Sequence, residues 1–203
     1  SSPLYGLEFT YLDSQQKQLL INGFELQDRQ RYRLLVRSNL GKHFNLRLEG
    51  ALEEVKTRSD FLLTRNYNID TREVRPELAY QPNSDLRLIL AYRLSEKENS
   101  LAEEDPESAL LQEVALEFRW NKAVKRNLSI QGRYVNISFV GDANTPVAYE
   151  MLEALQPGVN WTWSINWQQR LVNGLRLSLN YNGRKARNAP TFNLLRLQIS
   201  ALF

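Results

Sequence analysis

The stretch GLRLSLNYNGRKARNAPTFNLLRLQISALF, residues 174–203, reads twice in period two. In its first half Leu175, Leu177, Leu179 and Tyr181 alternate with Arg176, Ser178, Asn180 and Asn182. In its second half Leu195, Leu197, Ile199, Ala201 and Phe203 alternate with Leu194, Arg196, Gln198, Ser200 and Leu202. Successive side chains of a strand point to opposite faces, so this alternation predicts two strands, each with one apolar face and one face carrying arginine. A polar link at about 184–191 joins them.

The same period recurs upstream. DLRLILAYRL (85–94) sets Leu86, Leu88, Leu90 and Tyr92 against Arg87, Ile89, Ala91 and Arg93. EVALEFRW (113–120) sets Val114, Leu116, Phe118 and Trp120 against Glu113, Ala115, Glu117 and Arg119, and NWTWSINWQQ (160–169) sets three tryptophans against Thr162, Ser164 and Asn166. Further strands fit YGLEFTYL (5–12), RYRLLVRS (31–38), FNLRLEGAL (44–52), EVRPELAY (73–80) and NLSIQGRYVNISFV (127–140). The last of these loses phase near Gly132, where a bulge is expected. That makes ten strands.

The links alternate in length. SNLGKH, QPNSD, NKAVKRN and LVNG are short; those at about 13–28, 56–70, 96–108, 141–157 and 184–191 are longer. Short on one side and long on the other is the pattern of an up-and-down transmembrane barrel with short periplasmic turns. The expected fold is therefore an all-β, antiparallel transmembrane β-barrel of about ten strands, eight being the alternative count. An even number lets the first and last strands close antiparallel. The chain reads as one barrel domain, 1–203, standing alone or as the C-terminal domain of a longer chain.

Composition agrees with this reading. No apolar run approaches the roughly 20 residues of a membrane helix, and the mean hydropathy is negative. With 26 basic and 23 acidic residues spread along the chain, the net charge of +3 leaves no nucleic-acid footprint. Cysteine is absent, so there is neither a disulfide framework nor a thiolate metal site. The chain opens Ser-Ser-Pro, so an export leader is expected to be cleaved or to lie upstream.

Aromatic residues fall at both ends of the apolar faces. Tyr5, Phe44, Tyr80, Trp120, Trp167 and Phe203 mark the short-turn end; Tyr11, Tyr32, Trp161, Trp163, Tyr181 and Phe192 mark the other. Two such girdles around leucine-rich middles suit a bilayer-facing surface, because amphipathic rings settle at headgroup level.

An alternating last strand ending in Phe203 resembles the terminal signature of Gram-negative outer-membrane β-barrel proteins. The segment from YEMLEALQPGVNWTWSINWQQRL through YNGRK to the end is similar to the C-terminal tails of large Bacteroidetes-type surface proteins. The resemblance implies an integral outer-membrane location, with membrane lipid and lipopolysaccharide as surroundings. It also implies that Phe203 is an assembly signal read by the barrel assembly machinery, and that other outer-membrane or surface proteins are partners.

The polar faces, taken as interior, carry Arg33, Arg37, Arg47, Arg75, Arg87, Arg93, Arg119, Arg176 and Arg196 beside Glu8, Glu49, Glu77, Glu113 and Glu117. Buried charges persist when paired, so a structural ion-pair network is expected. The excess of arginine keeps a small anion-leaning pore as the alternative. A soluble ligand-carrying β-barrel is a second alternative, which the girdles and turn lengths oppose.

Catalysis has little material. His43, the only histidine, lies in a short turn, so no serine–histidine arrangement or histidine metal site is expected, and no cofactor. SLAEEDPES lacks the spacing of a calcium loop and reads as a solvated link. Glu150 and Glu153 fit a short helix whose Met151, Leu152 and Leu155 pack on the barrel rim. The expected role is a non-catalytic membrane anchor, or a barrel subunit of a larger surface complex.

Overall fold

In the computed structural model, residues 4–20, 23–60, 62–101, 106–122, 125–171, 174–187 and 189–201 are described. Ten strands follow one another: β1 (Tyr5–Leu20), β2 (Gly23–Leu40), β3 (Phe44–Ser59), β4 (Tyr67–Tyr80), β5 (Leu86–Asn99), β6 (Ser108–Lys122), β7 (Arg126–Val140), β8 (Gly158–Arg170), β9 (Leu175–Ala186) and β10 (Phe192–Ala201). They form one antiparallel sheet in chain order. A helix, α1 (Pro146–Met151), lies between β7 and β8. No described helix is long and apolar enough to cross a membrane.

Register assigns the faces. Leu35, Ala51, Ala79, Ala91, Leu111 and Val135 are buried and share one face, here called inward. The other face carries Tyr5, Leu7 and Phe9 of β1 and Leu195, Leu197 and Ile199 of β10, all exposed. On β5 it runs Leu86, Leu88, Leu90, Tyr92 and Leu94 without a charge before reaching Glu96 and Glu98. That uncharged run matches the roughly 9–11 residues a tilted strand needs to cross a bilayer.

The structure departs from the sequence-based expectation at three places. Residues 13–28 are not a loop: β1 and β2 stay paired from Tyr5↔Ser38 to Leu20↔Gly23. Ser14, Gln15, Gln16, Lys17 and Gln18 are polar on both faces, so no alternation betrays the strand. Side chains hold the extension, with Gln15 donating to Asp28 at 2.7 Å and the Lys17 ammonium lying 4.3 Å from the Phe24 ring centre. Second, β7 carries no bulge at Gly132; its ladders with β6 and β8 are continuous through Leu116↔Gly132 and Gly132↔Trp163. The phase fades because Val135, Ile137 and Phe139 point inward toward an apolar cluster. Third, Phe192 pairs with Arg184 and so falls on the inward face, outside the outer girdle; the two side chains lie 5.7 Å apart.

Two further features bear on the wall. The β4–β5 ladder stops at Val74↔Leu94 and resumes at Glu77↔Ala91. Pro76, which has no N–H to donate, sits in the gap. Among the described residues β1 pairs only with β2 and β10 only with β9, so the expected closing ladder is not among them. Phe203 and most of the acidic run at 102–105 lie outside the described residues.

Candidate functional site: the charged interior and its helix

Inward arginines and glutamates meet across neighbouring strands. Arg33 lies 3.1 Å from Glu49, Arg31 lies 3.7 Å from Glu49 and 3.6 Å from Glu53, and Arg29 lies 3.0 Å from Glu53. Arg47 reaches Glu77 at 3.5 Å, Arg37 reaches Glu8 at 3.3 Å, and Arg119 contacts Glu117 on its own strand. Arg31 stands opposite Glu53 in register, while Arg33 and Arg29 reach Glu49 and Glu53 diagonally, so the pairs form a chain along the inside of the wall.

Arg93 of β5 is the hub. It lies 3.0 Å from Glu113 of β6, 3.5 Å from Glu73 of β4 and 2.7 Å from Glu153, which follows α1. Arg133 of β7 closes the group with two 2.8 Å hydrogen bonds to Glu113. Bidentate charge-assisted pairs of this kind fix geometry as well as supply energy.

The helix sits directly above this hub. Thr145 caps it, its hydroxyl accepting from the Ala148 N–H at 3.0 Å, and Pro146 fills the first turn, where no N–H is needed. Val147, Ala148, Met151 and Leu152 are buried against Val55, Tyr67, Ile69, Ala109, Leu111, Val135 and Ile137. Met151 is 0% exposed and Leu152 2%, packed on inward residues near the outer ends of β3, β4, β6 and β7. Glu153 and Ala154 then turn the chain with φ of 55° and 59°. Two successive non-glycine residues in the left-handed region cost roughly 1–2 kcal/mol each. Hydrogen bonds from Arg93 at 2.7 and 2.9 Å and from Lys97 at 3.1 Å hold Glu153 in that conformation. Burial alone would raise the Glu153 carboxyl; the hydrogen bond from Arg93 and the charges of Lys97 and Arg93 prevail and hold it at about 2.

Of the expected interior residues, Glu8, Arg33, Arg47, Glu49, Glu77, Arg93, Glu113, Glu117 and Arg119 lie in ion pairs. Arg75, Arg87, Arg176 and Arg196 are in none among the described residues, and Arg87 stands opposite Arg119 in register. Arg133, Glu73, Glu53, Lys97 and Glu153 lie outside the expected interior set; Glu153, expected in the short helix, follows α1 and joins the ion pairs instead. Strand parity could have given Arg133 and Glu73; Glu153 comes from a connection that has no parity.

The aromatic sets also come together on the outward face. Phe44 and Tyr80 pack with ring centres 4.7 Å apart at the short-turn end, where Trp120 and Trp167 flank Leu128 in register. Tyr11 and Tyr32 pack at 4.9 Å, and Tyr134 meets Trp161 edge-on at 4.7 Å. Trp163 lies over Gly183, where a Cβ would fall inside its ring. Tyr181 donates to Asn193 at 2.9 Å. His43 lies 3.2 Å from the Gln81 carbonyl, at the turn.

No protein-family model matches the chain, and no curated protein matches it. Among solved structures it is similar to the outer-membrane expressed OmpT of Vibrio cholerae, at 10% identity and a TM-score of 0.54, over 83% of this chain and 52% of that one. The fold is that of an outer-membrane β-barrel. The translocator domain of the autotransporter NalP from Neisseria meningitidis aligns over 97% of this chain and 75% of its own at 10% identity, with a TM-score of 0.41. The chain spans about half the length of the Vibrio barrel.

Proposed function

We propose that this chain is a non-catalytic, integral β-barrel domain of a Gram-negative outer membrane, acting as an anchor or as a barrel subunit of a larger cell-surface complex. The observation that carries this reading is the occupied interior: ion pairs run along β2–β7, and α1 packs its apolar side chains over them. An interior tied by such pairs has little freedom to open, because releasing one partner leaves an uncompensated charge. On this reading lipid and lipopolysaccharide surround the wall, other surface proteins meet it at the long connections, and the barrel assembly machinery reads its last strand.

Planar-bilayer recording of the refolded protein tests the proposal. The expected result is no steady current, and stable single-channel steps would overturn it. The second reading, a small anion-leaning pore, is favoured by Arg75, Arg87, Arg176 and Arg196, which add inward positive charge outside any described ion pair. The assembly role of Phe203 has its own test. Deleting it should lower heat-modifiable protein in the outer membrane, Phe203→Trp should be tolerated, and normal levels for the deletion would remove that role.

A further inference from the structure

At the short-turn end of β6–β9 the wall gathers five cationic side chains around one concavity of about 370 Å³: Lys122, Lys125, Arg126, Arg170 and Arg176. The rest of its lining is Asn and Gln, and none of the five takes part in an ion pair among the described residues. Register makes the crowding sharper. Lys122 stands directly opposite Arg126, and Arg170 directly opposite Arg176. Like charges directly opposed across a strand pair are destabilising, and here two such pairs share one hollow. The Arg170 N–H donates to the Lys125 carbonyl at 2.9 Å, which joins the two turns and holds the pairs side by side.

The depth of the hollow indicates its counter-charge. Trp120, Leu128 and Trp167 are register neighbours on the outward face, and Lys122, Arg126 and Gln169 follow them two residues further toward the turns. Tryptophan settles at headgroup level, so the cations beyond it lie where lipid phosphates are. Arg170 and Arg176 reach the same hollow from the inward face. Guanidinium groups bind phosphate oxygens in a bidentate manner, and lysines add point charge.

We infer that this rim is a binding site for the phosphodiester headgroup of an anionic phospholipid in the leaflet on the short-turn side. The headgroup relieves both like-charge pairs, and its acyl chains lie along the apolar face below Trp120 and Trp167. The inference needs the wall to cross a bilayer but is independent of whether the domain anchors or conducts.

Native mass spectrometry of protein from mixed phosphatidylglycerol and phosphatidylcholine micelles tests it, with heat-modifiability confirming the fold of each variant. The wild type should retain phosphatidylglycerol in preference to phosphatidylcholine. Each basic residue near an anionic surface is worth about fivefold, so Lys122→Gln/Arg126→Gln/Arg170→Gln should lose the preference by on the order of a hundredfold. Arg126→Gln alone should lose a few-fold, which keeps the test open if the triple variant fails to fold. Lys17→Gln/Lys56→Gln, at the opposite end, should keep the preference. Equal retention of both lipids by the wild type, or an unchanged preference in folded Arg126→Gln and triple variants, would overturn the inference. So would retention of inorganic pyrophosphate, offered in a parallel sample, with no lipid bound, since the site would then serve a free phosphate.

Discussion

Arg93 on β5 and Glu153, beyond α1, meet through two hydrogen bonds of 2.9 and 2.7 Å although 60 positions separate them in the chain. The pair fastens the β7–β8 connection to the charged interior, and it does so beneath the apolar side chains of Met151 and Leu152. Fold and interior are thus coupled at one point.

This coupling has a pH signature. Glu153 is held at about 2, below an ordinary carboxyl, so its contribution is complete above the ordinary carboxylate range and is lost as the pH falls toward about 2. Proteolysis within 141–157 should stay slow at pH 5 and quicken between about pH 4.5 and 2. Glu153→Gln should make cleavage fast at neutral pH as well, by roughly tenfold or more, since a lost hydrogen bond to a charged group costs about 1.5–3 kcal/mol. Identical cleavage of variant and wild type at pH 7 would show that the pair does not hold the connection.

The facing of the strands predicts unequal tolerance at adjacent positions. Leu177 pairs with Ile199 on the outward face, and Arg176 pairs with Ser200 on the inward one. Arginine near the midplane of a barrel's lipid face costs roughly 2–4 kcal/mol. Leu90→Arg, level with Leu116 in the middle of the wall, should therefore impair membrane insertion; Leu177 pairs with Gln169 beyond the Trp167 belt, so Leu177→Arg should be milder, and Arg176→Leu on the inward face milder still. The readout is the folded fraction in a heat-modifiability gel, and equal losses for Leu90→Arg and Arg176→Leu would reverse the assigned facing.

Gly183 offers a third test. It is buried beneath Trp163, and any Cβ there displaces the ring. Overpacking of this kind typically costs about 1–3 kcal/mol. Gly183→Ala should lower stability to urea by that amount, followed by tryptophan emission. In the background of Trp163→Ala the same change should cost little, because neighbouring substitutions that share one contact do not add. Additive losses would mean that the ring and the glycine are independent.

The parts of this arrangement that the sequence made legible are those where a side chain's parity has one cause. Leu177 and Arg176 lie on the faces their alternation implies, because lipid on one side and the charged interior on the other impose opposite demands at every step. Parity failed where a second cause intervened. Val135 and Ile137 blur the pattern of β7 because Met151 and Leu152, remote in sequence, make the upper interior apolar. Gln15 and Gln16 hide a strand because above the lipid belt neither face needs apolar residues, and the backbone ladder with Asp28 and Gln27 suffices. The hub at Arg93 was half visible: Glu113 is its register partner, whereas Glu153 arrives through the path of a loop.

The last prediction concerns the two edges. Within a bilayer an unpaired strand edge leaves N–H and C=O groups unsatisfied at several kcal/mol each, so β1 and β10 cannot both stay bare there. Tyr11 of β1 and Ile199 of β10 both belong to outward sets, and antiparallel pairing of the two strands keeps outward residues on one face. With no native cysteine in the chain, Tyr11→Cys/Ile199→Cys introduces a single reporter pair. If the edges close on each other, mild oxidation of the folded protein in membranes should give a cross-linked monomer, and Tyr11→Cys/Gln198→Cys, whose second thiol faces inward, should give much less. Neighbouring positions on β10, Leu197→Cys and Leu195→Cys, scan the register. A cross-linked dimer in place of the monomer would mean that a second copy completes the wall. The absence of any cross-link across that scan, in protein that remains heat-modifiable, would mean that strands other than these meet the two edges.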